Sequence, residues 1–181
     1  WQFVHSNFRY LRNFMDYYGV EQINGLLADL GVSFHHFDCP ERGFSFRYSS
    51  PLDMRMNQRG GKTAADIVNN YSEEELARVL YLYGELKNSR RIAHNIVHTR
   101  STYPLTRTED LVAIMTGQRP SKPLLEGDEI AVDSRIKKDL ARMFQALRIE
   151  VNDEMGALET MLNAALQMLK PQGRIVILTY H

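Results

Sequence analysis

One carboxylate stands out by its place in the sequence, because Asp29 comes near the end of the short apolar run Ile23 to Leu30 and just before Gly31. A short apolar run with glycine at its boundary favours a buried parallel strand over a helix. Open α/β sheets bind ligands beyond the carboxyl ends of their strands. We therefore expect Asp29 at the rim of a ligand pocket; the alternative is that its side chain only caps the following loop.

Two phenylalanines, Phe44 and Phe46, alternate with Arg42 and Arg47 in a segment rich in glycine and proline, and Arg55 extends the same segment. Aromatic rings stack on unpaired bases, while guanidinium groups hold phosphates. The composition is that of a platform for an extruded base. The alternatives are core aromatic residues and a solvated loop.

Basic residues concentrate in one stretch from Lys87 to Arg107, which contains five cations and no acid although the whole chain has zero net charge. Arg90 and Arg91 share a predicted helix with further basic side chains, as expected of a phosphate track. Arg148, on a later helix, is a candidate RNA or active-site contact. A solvated helix face and an ion pair with an acid such as Glu150 are the respective alternatives.

Two further patterns resemble a metal site and a phosphate-binding loop. His94 and His98 have the i, i+4 spacing of a helical metal pair but no third ligand nearby, so no metal is predicted. Gly60-Gly61-Lys62-Thr63 resembles the end of a phosphate-binding loop, yet Met56 stands where its first glycine belongs. We therefore exclude a nucleotide triphosphatase.

The composition is that of a globular domain, with 181 residues, 44% hydrophobic residues and 24% charged residues. No apolar run approaches the ~18 residues that a membrane span needs. A single cysteine cannot build a disulfide framework, and no signal peptide opens the chain, so a cytoplasmic location is expected.

The elements that position these residues are read from periodicity. Ser72 with Glu75 and Thr106 with Glu109 predict capping boxes, and apolar steps of three and four from Leu140 to Leu169 predict one long helix. Arg174 to Tyr180 predicts a second buried parallel strand. Two parallel strands separated by some 140 residues imply an α/β fold whose crossover carries a helical insertion.

Several blocks of the sequence resemble a known family. They are Asp29-Leu30-Gly31-Val32-Ser33, Glu41-Arg42-Gly43-Phe44-Ser45-Phe46, Pro51-Leu52-Asp53-Met54-Arg55-Met56 and Phe144-Gln145-Ala146-Leu147-Arg148-Ile149-Glu150-Val151-Asn152. Gly84-Glu85, Arg91-Ile92-Ala93 and Tyr180-His181 follow in the same order. Together they resemble the signature blocks of the bacterial ribosomal RNA small-subunit methyltransferase H (MraW) family over essentially the whole chain.

The resemblance implies an S-adenosylmethionine-dependent enzyme that methylates the exocyclic N4 amine of a cytidine in 16S ribosomal RNA of the small subunit. It implies a Rossmann-like methyltransferase sheet with an inserted all-helical, RNA-engaging subdomain. The layout of predicted strands and helices, with which this fold agrees, places residues 1–44 and 141–181 in the methyltransferase part and 45–140 in the insertion. Phe8, Asp29 and His36 match donor-binding positions, with His36 replacing the usual glutamine, and this match disfavours a metal site at His35, His36, Asp38 and Cys39.

The chain contains neither the family's glycine-rich donor loop nor the acidic residue after its second strand. We therefore expect a fragment that binds the donor weakly or not at all. Its exposed strand edges are expected to be covered by another copy or by strand swapping. A second hypothesis is a non-catalytic RNA-binding module derived from the same fold.

Overall fold

The computed structural model describes residues 2–31, 39–118 and 122–179, and these fall into two compact units. The first unit consists of residues 1–32 and 153–181, and the second of residues 33–152. Each is described separately below. Within the described residues, no helix is both long enough and apolar enough to cross a membrane.

The first unit is built on two parallel strands, β1 (Ile23–Asp29) and β2 (Leu169–Leu178). A 3-10 turn (Phe8–Tyr10) and helix α1 (Leu11–Tyr17) precede β1 and pack on a later helix, α7 (Glu154–Met168), which leads into β2. The two predicted parallel strands are thus confirmed, although β2 begins at Leu169 rather than at the predicted Arg174. They pair in register from Gly25 with Arg174 to Asp29 with Leu178.

The prediction that both strands are buried is wrong for the described residues. Leu27 and Val176 are register partners, yet their side chains are 71% and 51% exposed, and of β1 only Ala28 is buried. Alternate residues of a strand point to opposite faces. One face of the strand pair therefore presents neighbouring apolar side chains that no described element covers.

The second unit contains five described α-helices: α2 (Ala64–Asn70), α3 (Glu73–Leu82), α4 (Ser89–Arg100), α5 (Thr108–Thr116) and α6 (Ser134–Asn152). Helix α6 contacts α2, α3 and α5. Its apolar stripe of Leu140, Met143, Phe144 and Leu147 is buried. This stripe makes α6 the centre of the core of the unit.

The predicted single long helix is instead two helices, because Asp153 adopts a left-handed backbone (φ 46°) between α6 and α7. Short polar residues tolerate this conformation, and their side chains compete for backbone hydrogen bonds. The boundary between the two units falls at this break rather than at residue 140, since α6 packs with the helices before it.

Capping residues set the starts of the helices. Ser72 and Glu75 form the predicted capping box of α3. An unpredicted box of Thr63 and Asp66 starts α2. The predicted box of Thr106 and Glu109 is wrong, because the carboxylate of Asp110, at 2.9 Å, accepts from the backbone amides of Thr106 and Arg107. Helix α5 therefore begins one residue later than that box requires.

Candidate functional site

Asp29 lies at the carboxyl end of β1, opposite Leu178 at the end of β2. The amide of Leu30 donates to the carbonyl of Leu178 at 3.0 Å, so the two strands end at the same edge. Asp29 is exposed there. Its carboxylate is therefore open to hydrogen-bond donors of a ligand at the edge where α/β sheets bind them.

Of the other predicted donor-binding residues, Phe8 lies within the described part of the chain and His36 does not. Phe8 opens the 3-10 turn before α1, and its side chain is 41% exposed, which leaves part of its ring accessible. His36 lies outside the described residues, as does Tyr180. Asp29 and Phe8 belong to the same unit.

In the second unit, Asn152 connects two of the sequence blocks. Its side-chain oxygen accepts from the amide of Met56 at 2.7 Å, and its amide nitrogen donates to the carbonyl of Met54 at 2.8 Å. A further bond of the same nitrogen, at 2.9 Å, reaches the carbonyl of Arg148 one turn earlier in α6. We call this arrangement, Asn152 with Met54 and Met56, the amide clamp.

Arg42 holds the same segment from the other side. Its guanidinium donates to the carbonyls of Arg55 at 2.7 Å and Met56 at 3.2 Å, and it lies over the ring of Phe44 at 5.6 Å from the centroid. Gly43 has a φ of +69°, and a Cβ there would collide with the carbonyl oxygen of Pro51. A glycine is therefore required where the two loop segments cross.

The two phenylalanines of the predicted base platform occupy the interior of the unit to different degrees. Phe44 is only 5% exposed, and Phe46, half-buried, makes an edge-to-face contact with Phe144 at 5.6 Å. In this conformation both rings pack as core aromatic residues, which was the alternative to an open platform for a base. A base could stack on Phe44 only if the ring first left its site.

Asp53 and Arg55 form a bidentate ion pair beside the clamp, with oxygen to nitrogen distances of 2.9 and 2.8 Å. Both side chains are mostly buried, at 18% and 22% exposed. The Arg55 hydrogen bond holds the pKa of Asp53 below its ordinary value, against the opposing effect of burial. Arg55 is thus engaged within the loop rather than directed at a phosphate.

We expect Asp53→Asn to lower the free energy of unfolding by about 1–2 kcal/mol at neutral pH, because it removes a charged hydrogen bond. Folding lowers the pKa of Asp53, so this contribution is present above the ordinary aspartate pKa and is lost as pH falls through the lowered value. The difference between variant and wild type should therefore shrink near pH 3, roughly one unit below the ordinary aspartate pKa. Denaturant unfolding of the full-length proteins at both pH values measures it.

The exposed pair Asp133 and Arg135 has the same i, i+2 spacing and provides the control. Asp133→Asn should change stability little, since solvent-exposed ion pairs contribute little. A stability loss for Asp53→Asn that is the same at both pH values would contradict the assigned role of the carboxylate.

The remaining predicted RNA-binding arginines lie elsewhere in the second unit. Arg90 and Arg91 are exposed in the first turn of α4 and line an open cavity of about 830 Å³ between α3 and α4, which we call the α3–α4 groove. Arg47 is exposed, and Arg148 is half-buried on α6. The lining of the groove includes none of the residues of the clamp.

The histidine pair has a local partner. His94 Nδ1 lies 3.2 Å from a carboxylate oxygen of Glu73, and the rings of His94 and His98 stack at 6.4 Å between centroids. The contact with Glu73 connects α4 to the first turn of α3, whereas the ring stacking lies within α4. Within the described residues, no group of three or more potential metal-ligating side chains forms.

Comparison with known proteins shows the family to which this chain belongs. The sequence model of the MraW methylase family matches residues 1–181, so the chain belongs to that family. It is similar to proteins named ribosomal RNA small subunit methyltransferase H, with 58% identity for the one from Phocaeicola vulgatus and 57% for the one from Bacteroides thetaiotaomicron. Each alignment covers 99% of this chain and 55% of the relative, so the chain spans about half their length.

Two residues that are prominent in the structure were not predicted from the sequence. Asn152 closes the block that begins at Phe144, but its partners are nearly a hundred positions away, so only the block itself pointed to it. Tyr81 lies outside the apolar face of α3, and an aromatic residue on a polar face was the available signal.

Proposed function

We propose that the full-length protein transfers a methyl group from S-adenosylmethionine to the N4 amine of a cytidine in 16S ribosomal RNA of the small subunit. The observation that carries the proposal is the exposed Asp29 carboxylate at the shared carboxyl edge of β1 and β2, in a chain of the MraW methylase family. The fold proposed for the whole protein is a Rossmann-like methyltransferase sheet into which the helical residues are inserted.

The donor supplies an electrophilic methyl group on a sulfonium centre. Asp29 fits this ligand because an open carboxylate accepts hydrogen bonds from hydroxyl or ammonium groups, and the part-exposed ring of Phe8 offers an apolar surface in the same unit. We assign donor binding to Asp29 and Phe8 and retain His36 as a third candidate.

The acceptor sets the second requirement. The lone pair of the cytosine amine is delocalised into its ring, so the amine reacts only when it is held in line with the methyl group. The nitrogen forms the new bond to carbon, the sulfur keeps the electron pair of the broken bond, and the amine loses a proton. Arg90, Arg91, Arg47 and Arg148 are proposed to hold the RNA; Arg42, Phe44, Phe46 and Arg55 are proposed to shape the loop that approaches it.

The proposal is tested by incubating the full-length protein with small ribosomal subunits lacking the modification and with S-adenosylmethionine labelled in the methyl group. Digestion of the RNA and mass spectrometry of the nucleosides should show N4-methylcytidine. RNA binding without methyl transfer would favour the non-catalytic RNA-binding module, and methylation at carbon 5 would contradict the assignment to the amine.

A further inference from the structure

The α3–α4 groove has two chemically different walls. One wall is basic and comes from the segment that starts α4, with Lys87, Arg90 and Arg91. The other wall is helix α3, which contributes the carboxylates of Glu73 and Glu74 in its first turn, Arg78 in its middle and Tyr81 in its last turn. The volume of about 830 Å³ lies within the range of ordinary ligand sites.

The cations of the groove form no ion pair with the residues that the structure describes. Arg78, Lys87, Arg90 and Arg91 are exposed, and none has a salt bridge or a side-chain hydrogen bond to another described residue. Elsewhere in this unit, Arg55 and Arg107 are paired with carboxylates. Four unpaired cations around one concavity give it the electrostatic character of a polyanion site.

The exposed ring of Tyr81 distinguishes single-stranded nucleic acid from other polyanions as the ligand of the groove. Its side chain is 61% exposed at the groove although the apolar face of the same helix is fully packed. An exposed aromatic ring next to unpaired cations is the combination that binds single-stranded nucleic acid, with a base on the ring and phosphates on the cations. A duplex has no free base faces to offer it.

We propose that the α3–α4 groove is a subsite for a single-stranded segment of RNA, with a base stacked on Tyr81 and its flanking phosphates on Lys87, Arg90 and Arg91. The orientation of the bound segment follows from the difference between the two walls. Phosphates are repelled by Glu73 and Glu74, whereas carboxylates accept hydrogen bonds from the amino groups of bases. The inference rests on the proposed RNA substrate and adds the nucleotide-binding geometry to it.

The test uses the full-length protein and fluorescence anisotropy with two labelled RNA oligomers of equal length, one of mixed sequence and one abasic. Tyr81→Ala should weaken binding of the mixed oligomer about 10-fold and leave the abasic oligomer unchanged, whereas Tyr81→Phe should retain binding. Lys87→Glu should weaken both oligomers and flatten the salt dependence of binding.

Matched controls are Tyr17→Ala, which removes another exposed tyrosine (79%), and Lys138→Glu, which reverses an exposed lysine on α6. Both should bind as wild type does. Unchanged binding by Tyr81→Ala, or an equal loss for both oligomers, would overturn the stacking subsite even if wild-type protein methylates subunits. Tyr81-dependent binding by a protein that transfers no methyl group would retain the subsite and overturn the proposed reaction.

Discussion

Asp29→Ala in the full-length protein is expected to lower kcat/KM for methylation of small ribosomal subunits by about 100-fold, which corresponds to about 2.7 kcal/mol of transition-state stabilisation. The reason is the loss of an open carboxylate at the edge where β1 and β2 end together. Charged hydrogen bonds to a ligand carry contributions of this order. Initial rates with labelled S-adenosylmethionine measure the effect, and calorimetry of donor binding locates it.

Glu21→Gln is the matched control, because Glu21 is an exposed carboxylate just before the amino end of the same strand. It should retain wild-type activity. Asp29→Asn keeps the size of the side chain and one acceptor oxygen, so it should retain more donor binding than Asp29→Ala. Activity of Asp29→Ala within about 2-fold of wild type would remove Asp29 from the site.

The parts of the fold that sequence predicts are those with a local physical cause. The β-branched run at 174–180 predicted β2, and the spacing of Ser72 and Glu75 predicted the start of α3, because strand propensity and capping act over a few residues. The start of α2 was missed although Thr63 and Asp66 have capping-box spacing. Gly60 and Gly61 had marked the preceding segment as a loop.

The remaining features have causes that a local pattern does not carry. Apolar periodicity continues through Val151, Met155 and Leu158, so it could not show the left-handed Asp153 that ends α6. The exposure of Leu27 depends on which elements cover the strands, and the apolar run only records that its residues are suited to burial. The burial of Phe44 depends on Arg42 and the crossing loop at Gly43.

The amide clamp has the largest expected effect on stability. Met54 is fully buried and has a φ of 60°, a conformation that is costly for a residue with a long side chain. Such strain persists only where surrounding contacts hold it, and here Asn152 bonds to the carbonyl of Met54 and the amide of Met56. Asn152→Ala is therefore expected to lower the free energy of unfolding by about 2–4 kcal/mol.

Denaturant unfolding of the full-length protein measures this loss. A second substitution of Asn152 and a control at an exposed asparagine test its cause. Asn152→Asp keeps the acceptor for Met56 but places a carboxylate against the carbonyl of Met54, so it should also destabilise. Asn95→Ala removes an exposed asparagine of α4 and should change stability little. If Asn152→Ala were no less stable than Asn95→Ala, the clamp would not contribute to the free energy of unfolding. The loop around Met54 would then be held by its own packing and by Arg42.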